Sequence, residues 1–99
     1  KLWRSDDQGG RWRDLAAPGR GPIVGLAIDP EDERRLWFAR ASWDGSALGT
    51  GGIWRSDDGG ASWSEITGDI PYRKPQILRY NPATRELWAG GNGLFRLAQ

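Results

Sequence analysis

One polar phrase occurs twice in the chain, and its residue types could carry chemistry. "RSDDQGGRW" spans residues 4–12, and "RSDDGGASW" spans residues 55–63, 51 positions later. Carboxylates beside a serine and several glycines have the look of an active site. The acidic pairs could also bind Ca²⁺, but this ion takes six or more oxygen ligands, and one such loop offers too few. We therefore predict no metal site and no cofactor.

The same phrase can be interpreted as a turn. A short Asp side chain accepts hydrogen bonds from nearby backbone N–H groups, and glycine adopts backbone angles that a Cβ would penalise. The tryptophan can then pack on its own sheet or on a neighbour. We predict structural roles for both sets of residues, which are Ser5, Asp7, Gly9 and Trp12, and then Ser56, Asp58, Gly60 and Trp63. No residue of the chain is predicted to be catalytic.

Composition narrows the possible functions. The 99 residues contain no cysteine and no histidine, which removes disulfides, thiolate metal sites and the commonest general base. A net charge of +1 provides no basic face, so nucleic acid is not a predicted partner. No apolar run approaches the ~18 residues of a membrane span, so no membrane partner is predicted either. Because the sequence contains no methionine, we expect the chain to be processed, excised or engineered at its N-terminus.

The repeat extends beyond the polar phrase and predicts the fold. "VGLAIDPEDERRLWFA" (24–39) aligns with "QILRYNPATRELWAG" (76–90), and "GLFRL" (93–97) repeats the opening "KLWRS". Each unit contains four short strands, A to D, separated by turn signals such as "DPEDER" and "NPATRE". The predicted strands are A at 23–28 and 76–80, B at 35–40 and 86–89, C at 2–5, 53–56 and 94–97, and D from Trp12 and from Trp63. Four strands in a period of about 50 residues are typical of a propeller blade. We predict an all-β fold of β-propeller blades with four antiparallel strands each, about two blades being present.

The predicted boundaries follow the repeat. The chain is predicted to be part of a single propeller domain over residues 1–99. Strands C and D of one blade occupy residues 1–16, a full blade occupies 22–67, and strands A to C of a last blade occupy 76–98. Two blades bury too little surface to fold alone, because repeat folds usually need three or more units. The predicted partner is therefore the remainder of a propeller, formed by the same protein or by identical chains.

The pattern S-x-D-x-G-x-x-W resembles the Asp-box, or BNR repeat, of sialidase-like β-propellers. The flanking "LAIDP", "LWFA" and "GGIWRS" are similar to BNR-type propellers of bacterial exported proteins, xyloglucanases and sortilin-type receptors. The resemblance implies an extracellular or periplasmic location. It also implies that ligands bind at the end of the blades that carries the B–C and D–A loops, opposite the boxes.

Three loops would lie at that ligand end, namely 15–22, 41–51 and 67–75. Trp43 has no repeat partner and neighbours Asp44, which suits sugar stacking with hydroxyl recognition. The other six tryptophans have repeat-matched positions and are predicted to pack in the core or between blades. The candidates for ligand contact are Trp43, Asp44, Arg40, Tyr72, Arg73 and Lys74.

Three functions remain open at this stage. The first is a non-catalytic segment that provides a binding or scaffold surface for a protein or a glycan. The second is part of a sialidase-like or xyloglucanase-like glycoside hydrolase, which would need two carboxylates roughly 5–10 Å apart across a sugar site. Asp44 and Asp69 are the only carboxylates in the predicted ligand-end loops. The third is an engineered or self-assembling two-blade fragment.

Overall fold

The described residues form strands, turns and irregular loops. The computed structural model describes residues 2–41, 51–67, 77–90 and 94–99. The strands in these ranges are β1 (Trp3–Arg4), β2 (Arg13–Asp14), β3 (Ile23–Ile28), β4 (Leu36–Arg40), β5 (Gly52–Ser56), β6 (Ser64–Glu65), β7 (Ile77–Asn81), β8 (Glu86–Gly90) and β9 (Leu94–Ala98). The described residues include no helix with the length and hydropathy that crossing a membrane requires.

The strands form three antiparallel sheets in chain order. The first sheet contains β1 and β2, the second contains β3 to β6, and the third contains β7 to β9. Every paired strand lies next to its neighbour in the sequence, which is the meander expected of a propeller blade. The predicted fold class, an all-β partial propeller with blades of four antiparallel strands, is confirmed.

Strand boundaries agree with the repeat to within one or two residues. The second unit has strand A at Ile23–Ile28, as predicted, and strand B at Leu36–Arg40. Strand D begins one residue later than predicted in both copies, at Arg13 and at Ser64. The two repeated phrases, residues 4–12 and 55–63, are called the first box and the second box. Their tryptophans, Trp12 and Trp63, therefore belong to the turns, and in each copy only two residues of strand D pair with strand C.

The core lies between the second and third sheets. Gly25 of β3 faces Leu78 of β7, and a Cβ at Gly25 would lie 3.3 Å from the Leu78 side chain, so the sheets approach closely. The rings of Trp37 and Tyr80 stack across this interface with their centroids 4.3 Å apart. The buried cluster consists of Ala27, Trp37, Ala39, Ile53, Leu78, Leu87 and Ala89.

Gln99 connects these two sheets through polar contacts. Its side-chain oxygen accepts hydrogen bonds from the Trp37 indole N–H at 2.9 Å and from the Arg55 guanidinium at 3.0 Å. Its backbone N–H donates to the carbonyl of Arg85 at 2.9 Å. The residue that follows β9 thereby satisfies two donors of the second sheet.

The first sheet corrects one expectation. Trp3 is 50% exposed and Trp12 is 60% exposed, although both hold repeat-matched positions predicted to be core or blade-packing. Their second-unit counterparts are better covered, Trp54 being 7% exposed. The prediction is wrong for the first unit because its sheet has two strands in the described structure, and no strand pairs with the inner edge of β1.

Candidate functional site

The second unit has two chemically different ends. At the box end, the turn of residues 56–63 meets the A–B turn of residues 29–35, and the Gly59 N–H donates to the Arg34 carbonyl at 2.9 Å. At the opposite end, the loop of residues 15–22 meets the end of β4 and the start of β5. Its Arg20 carbonyl accepts the Gly51 N–H at 3.0 Å. The C–D and A–B turns thus share one end of this unit, and the loop of residues 15–22 lies at the other.

Hydrogen bonds within the second box occupy its serine and aspartate. The Ser56 hydroxyl donates to Asp58 Oδ1 at 2.7 Å and accepts the Gly60 N–H at 2.9 Å. Asp58 Oδ1 also accepts the Ser62 N–H at 2.9 Å, and the Ser62 hydroxyl donates to Asp58 Oδ2. The hydrogen bonds of Ser62 and Ser56 lower the pKa of Asp58 from 3.8 to about 2.

The first box repeats this pattern with one bond fewer. The Ser5 hydroxyl donates to Asp7 Oδ1 at 2.9 Å and accepts the Gly9 N–H at 2.8 Å. Asp7 Oδ1 accepts the Arg11 N–H at 2.8 Å, and this backbone bond is the largest cause of the lowered pKa of Asp7. Arg11 stands where the second box has Ser62, so no hydroxyl reaches the other carboxylate oxygen from that position.

The other acid of each pair, Asp6 or Asp57, is bound to arginines. Asp6 contacts Arg4 at 2.8 Å and Arg13 at 3.4 Å. Asp57 contacts Arg55 at 2.9 Å and Arg35 at 3.3 Å. Burial acts to raise the pKa of Asp57, but these two arginines outweigh it and the net pKa lies below its ordinary value.

Ionised, hydrogen-bonded carboxylates are poorly suited to donate a proton near neutral pH. A general acid needs a raised pKa, whereas the pKa of Asp7, Asp57 and Asp58 is lowered. Across residues 2–41, 51–67, 77–90 and 94–99, no three acidic, histidine or cysteine side chains come together as metal ligands would. The box end thus presents bonded turns rather than free functional groups.

The box tryptophans make different contacts in the two copies. The Trp63 indole N–H donates to the Leu15 carbonyl of the preceding unit at 3.0 Å, and its ring meets Phe38 edge-on. The Trp12 indole N–H donates to Gly9 of its own turn at 3.1 Å. The second box is therefore joined to a neighbouring unit, while the first bonds to itself.

Arg40 is the one ligand-end candidate within the described residues, and it faces backbone carbonyls. Its Nε donates to Pro18 at 2.7 Å, Nη1 to Gly21 at 2.6 Å and Nη2 to Ala17 at 3.0 Å. Burial lowers the pKa of Arg40, although an arginine stays charged. The sequence predicted only that Arg40 ends strand B. No feature of the sequence indicated that its side chain binds these three carbonyls.

The remaining candidates lie outside the described residues. They are Trp43 and Asp44, which follow β4 in the sequence, and Tyr72, Arg73 and Lys74, which precede β7 in the sequence. Their role as ligand contacts stays a prediction.

The fold and the two ends define a class, an all-β protein built from propeller-type blades. No family model matches the chain. A xyloglucanase from Paenibacillus sp. is 36% identical over 74 residues, which cover 67% of this chain and 6% of that protein. The xyloglucanase Xgh74A of Acetivibrio thermocellus is 33% identical over 89 residues, covering 82% of this chain and 9% of that protein. The chain thus spans less than a tenth of these relatives and is similar to a segment of each.

Proposed function

We propose that these residues form a segment of a larger β-propeller, in which the Asp-boxes are structural and the opposite end binds a protein or a glycan. The observation that carries this proposal is that the serines and aspartates of the boxes are already bonded within their own turns. Box carboxylates are used by their own turns and by arginines, so they leave little capacity for a ligand.

Uncovered apolar surface supports the larger propeller. Leu26 and Ile28 lie two positions apart on β3 and are 47% and 53% exposed, and both line the same side of the second sheet. A cavity of about 500 Å³ separates this face from β1 and includes Trp3 and Leu36 in its lining. Strands A and B of the first unit are the elements that would fill it.

Binding by Trp43 is the direct test of the ligand end. A screen of glycans and proteins against the full-length protein should identify a ligand, and Trp43→Ala should then weaken its binding by tenfold or more, since stacked aromatic anchors carry about 2 kcal/mol or more. Trp12→Ala is the matched control, because Trp12 is an exposed tryptophan at the box end. Equal binding by the two variants would discard Trp43 as a ligand residue.

The second candidate function is that the chain forms part of a glycoside hydrolase, and its similarity to xyloglucanases supports this candidate. The full-length protein would then hydrolyse xyloglucan, with Asp44 or Asp69 contributing one carboxylate. Asp44→Asn or Asp69→Asn should lower kcat by roughly 10²–10⁴-fold, the usual effect of an acid–base group. Asp7→Asn, in the first box, should leave hydrolysis unchanged. No release of sugar from xyloglucan would remove this candidate.

Self-assembly is the third candidate. In the described residues the first sheet has two strands and the third has three, which together are one strand more than a four-stranded blade, so the extra strand counts against this candidate. A discrete trimer or tetramer by native mass measurement would favour rings of identical chains, and an aggregate would favour an excised piece.

A location outside the cytoplasm is likewise a proposal, supported by the Asp-box resemblance alone.

A further inference from the structure

We propose that Arg40 is a positioning residue whose guanidinium holds residues 17–21 as a pre-formed wall of the binding end. That residues 17–21 face a ligand rests on the proposed function. The hydrogen bonds by which Arg40 holds these residues are a property of the free protein, and they can be tested without a ligand.

The first observation is the geometry of the guanidinium. Each of its three nitrogens donates to a different carbonyl, those of Ala17, Pro18 and Gly21, at distances between 2.6 and 3.0 Å. A planar guanidinium presents donors in several fixed directions, whereas a lysine ammonium is a single compact charge. Hydrogen bonds from a charged donor are about twice as strong as neutral ones, so three of them hold the loop firmly.

The second observation is that the backbone carbonyls of the loop face the second sheet. Besides the three carbonyls bound by Arg40, the Arg20 carbonyl accepts the Gly51 N–H at 3.0 Å and the Pro22 carbonyl accepts the Ala41 N–H at 2.9 Å. Five of the six carbonyls from residue 17 to residue 22 therefore point at β4, β5 or the residues that adjoin them. The loop has no regular secondary structure, yet five of these six carbonyls accept a hydrogen bond.

The third observation is the closeness of the packing. A Cβ at Gly19 would lie 2.5 Å from the Trp54 ring, and one at Gly21 would lie 2.1 Å from the Ala41 carbonyl oxygen. Trp54 in turn stacks on Phe38 with the centroids 5.2 Å apart, and the Arg40 guanidinium lies 5.6 Å from the Phe38 centroid. The loop thus rests on an aromatic stack that belongs to the second sheet.

These contacts explain what Arg40 does for a binding surface. The wall is ordered when the blade folds, so a ligand that meets it does not have to bear the entropic cost of ordering the loop. Among the described ion pairs, none includes Arg40, and its charge is compensated by carbonyl dipoles. Arg20, exposed on this loop, is held with its carbonyl inward.

Hydrogen exchange and trypsin cleavage of the full-length protein test this role. In Arg40→Met, the Gly51 and Ala41 amides should exchange about tenfold faster or more, because losing hydrogen bonds to a charged group of this strength changes a local opening equilibrium by at least that factor. Cleavage after Arg20 should accelerate in parallel. Amides within β4 and β5 should keep their protection.

Two further variants keep the outcome decisive. Arg40→Lys preserves charge and stem, and it should loosen residues 17–21 to an intermediate extent. Arg34→Met is the matched control, because Arg34 pairs with Asp32 in an exposed contact of the A–B turn. Unchanged exchange at Gly51 and Ala41 in Arg40→Met would overturn the proposal. So would loss of strand protection in both Arg40 variants, because Arg40 would then support the whole sheet rather than the loop.

Discussion

The two boxes have nearly the same sequence, but their surroundings differ. In both, a serine hydroxyl and an aspartate oxygen accept N–H groups of one turn, with the same partners in the same order. The second box is also covered by the first unit, through Leu15 over Gly60 and the Trp63 bond to Leu15. The difference teaches that the box closes its own hairpin and that the neighbouring unit adds a second layer of contacts.

The largest expected contrast lies in the tryptophans. Trp63→Ala should lower the free energy of unfolding by about 3 kcal/mol, because it removes a partly buried ring against Phe38 and a bond to the Leu15 carbonyl. Trp12→Ala should cost roughly 0.5 kcal/mol, as expected for an exposed side chain. Urea unfolding of the two variants of the full-length protein measures both values. Equal losses would mean that the neighbouring unit does not distinguish the boxes.

A smaller contrast is expected at the box glycines. Gly9 and Gly60 have φ values of 94° and 96°, so alanine is strained at either position. A Cβ at Gly60 would lie 2.8 Å from Leu15, whereas at Gly9 the nearest atom is 3.7 Å away. Gly60→Ala should cost about 3 kcal/mol and Gly9→Ala about 1–2 kcal/mol, since overpacking adds to strain only at Gly60. The difference between their urea midpoints is the test.

Acid should separate the boxes through Ser62. The pKa of Asp58 is lowered from 3.8 to about 2 in the folded chain, so its contribution to stability is complete above about pH 4 and is lost as the pH falls toward 2. Ser62→Ala should raise the pKa of Asp58 and shrink this acid-sensitive contribution. The reciprocal change Arg11→Ser should lower the pKa of Asp7. Carboxyl titration by NMR measures both pKa values. A shift of either pKa in the direction opposite to the expected one would contradict the role given to the Ser62 hydroxyl.

The smallest expected effect concerns the turn residue that differs between the copies. Gln8 has φ 61°, and its counterpart Gly59 has φ 75°. Gln8→Gly should stabilise the protein by roughly 0.5 kcal/mol, because relief of the left-handed strain slightly exceeds the added backbone freedom of the unfolded chain. Gly59→Gln is the reverse control and should destabilise it. A loss of stability in Gln8→Gly would show that the turn is not strained.

The repeat predicted the strands well for a local reason. Turn residues and hydrophobic alternation act over a few positions, so β3 and β4 were predictable from "IVGLAI", "DPEDER" and "LWFAR". The turn role proposed for Asp7 and Asp58 uses the same kind of information, because every atom it needs lies within four residues. Contacts between units were beyond that range, as the Gln99 bond to Trp37, 62 positions apart, illustrates.

The sequence by itself determined an all-β chain of repeated hairpins, two of them closed by the serine–aspartate turn, since these follow from residues adjacent in the chain. Only the tertiary structure decided that Leu15 covers the second box, that Trp12 stays exposed, and that Arg40 binds the carbonyls of a loop about 20 residues earlier. The physical reason is that such contacts depend on how sheets pack against one another, and packing joins residues whose separation along the chain carries no local signal.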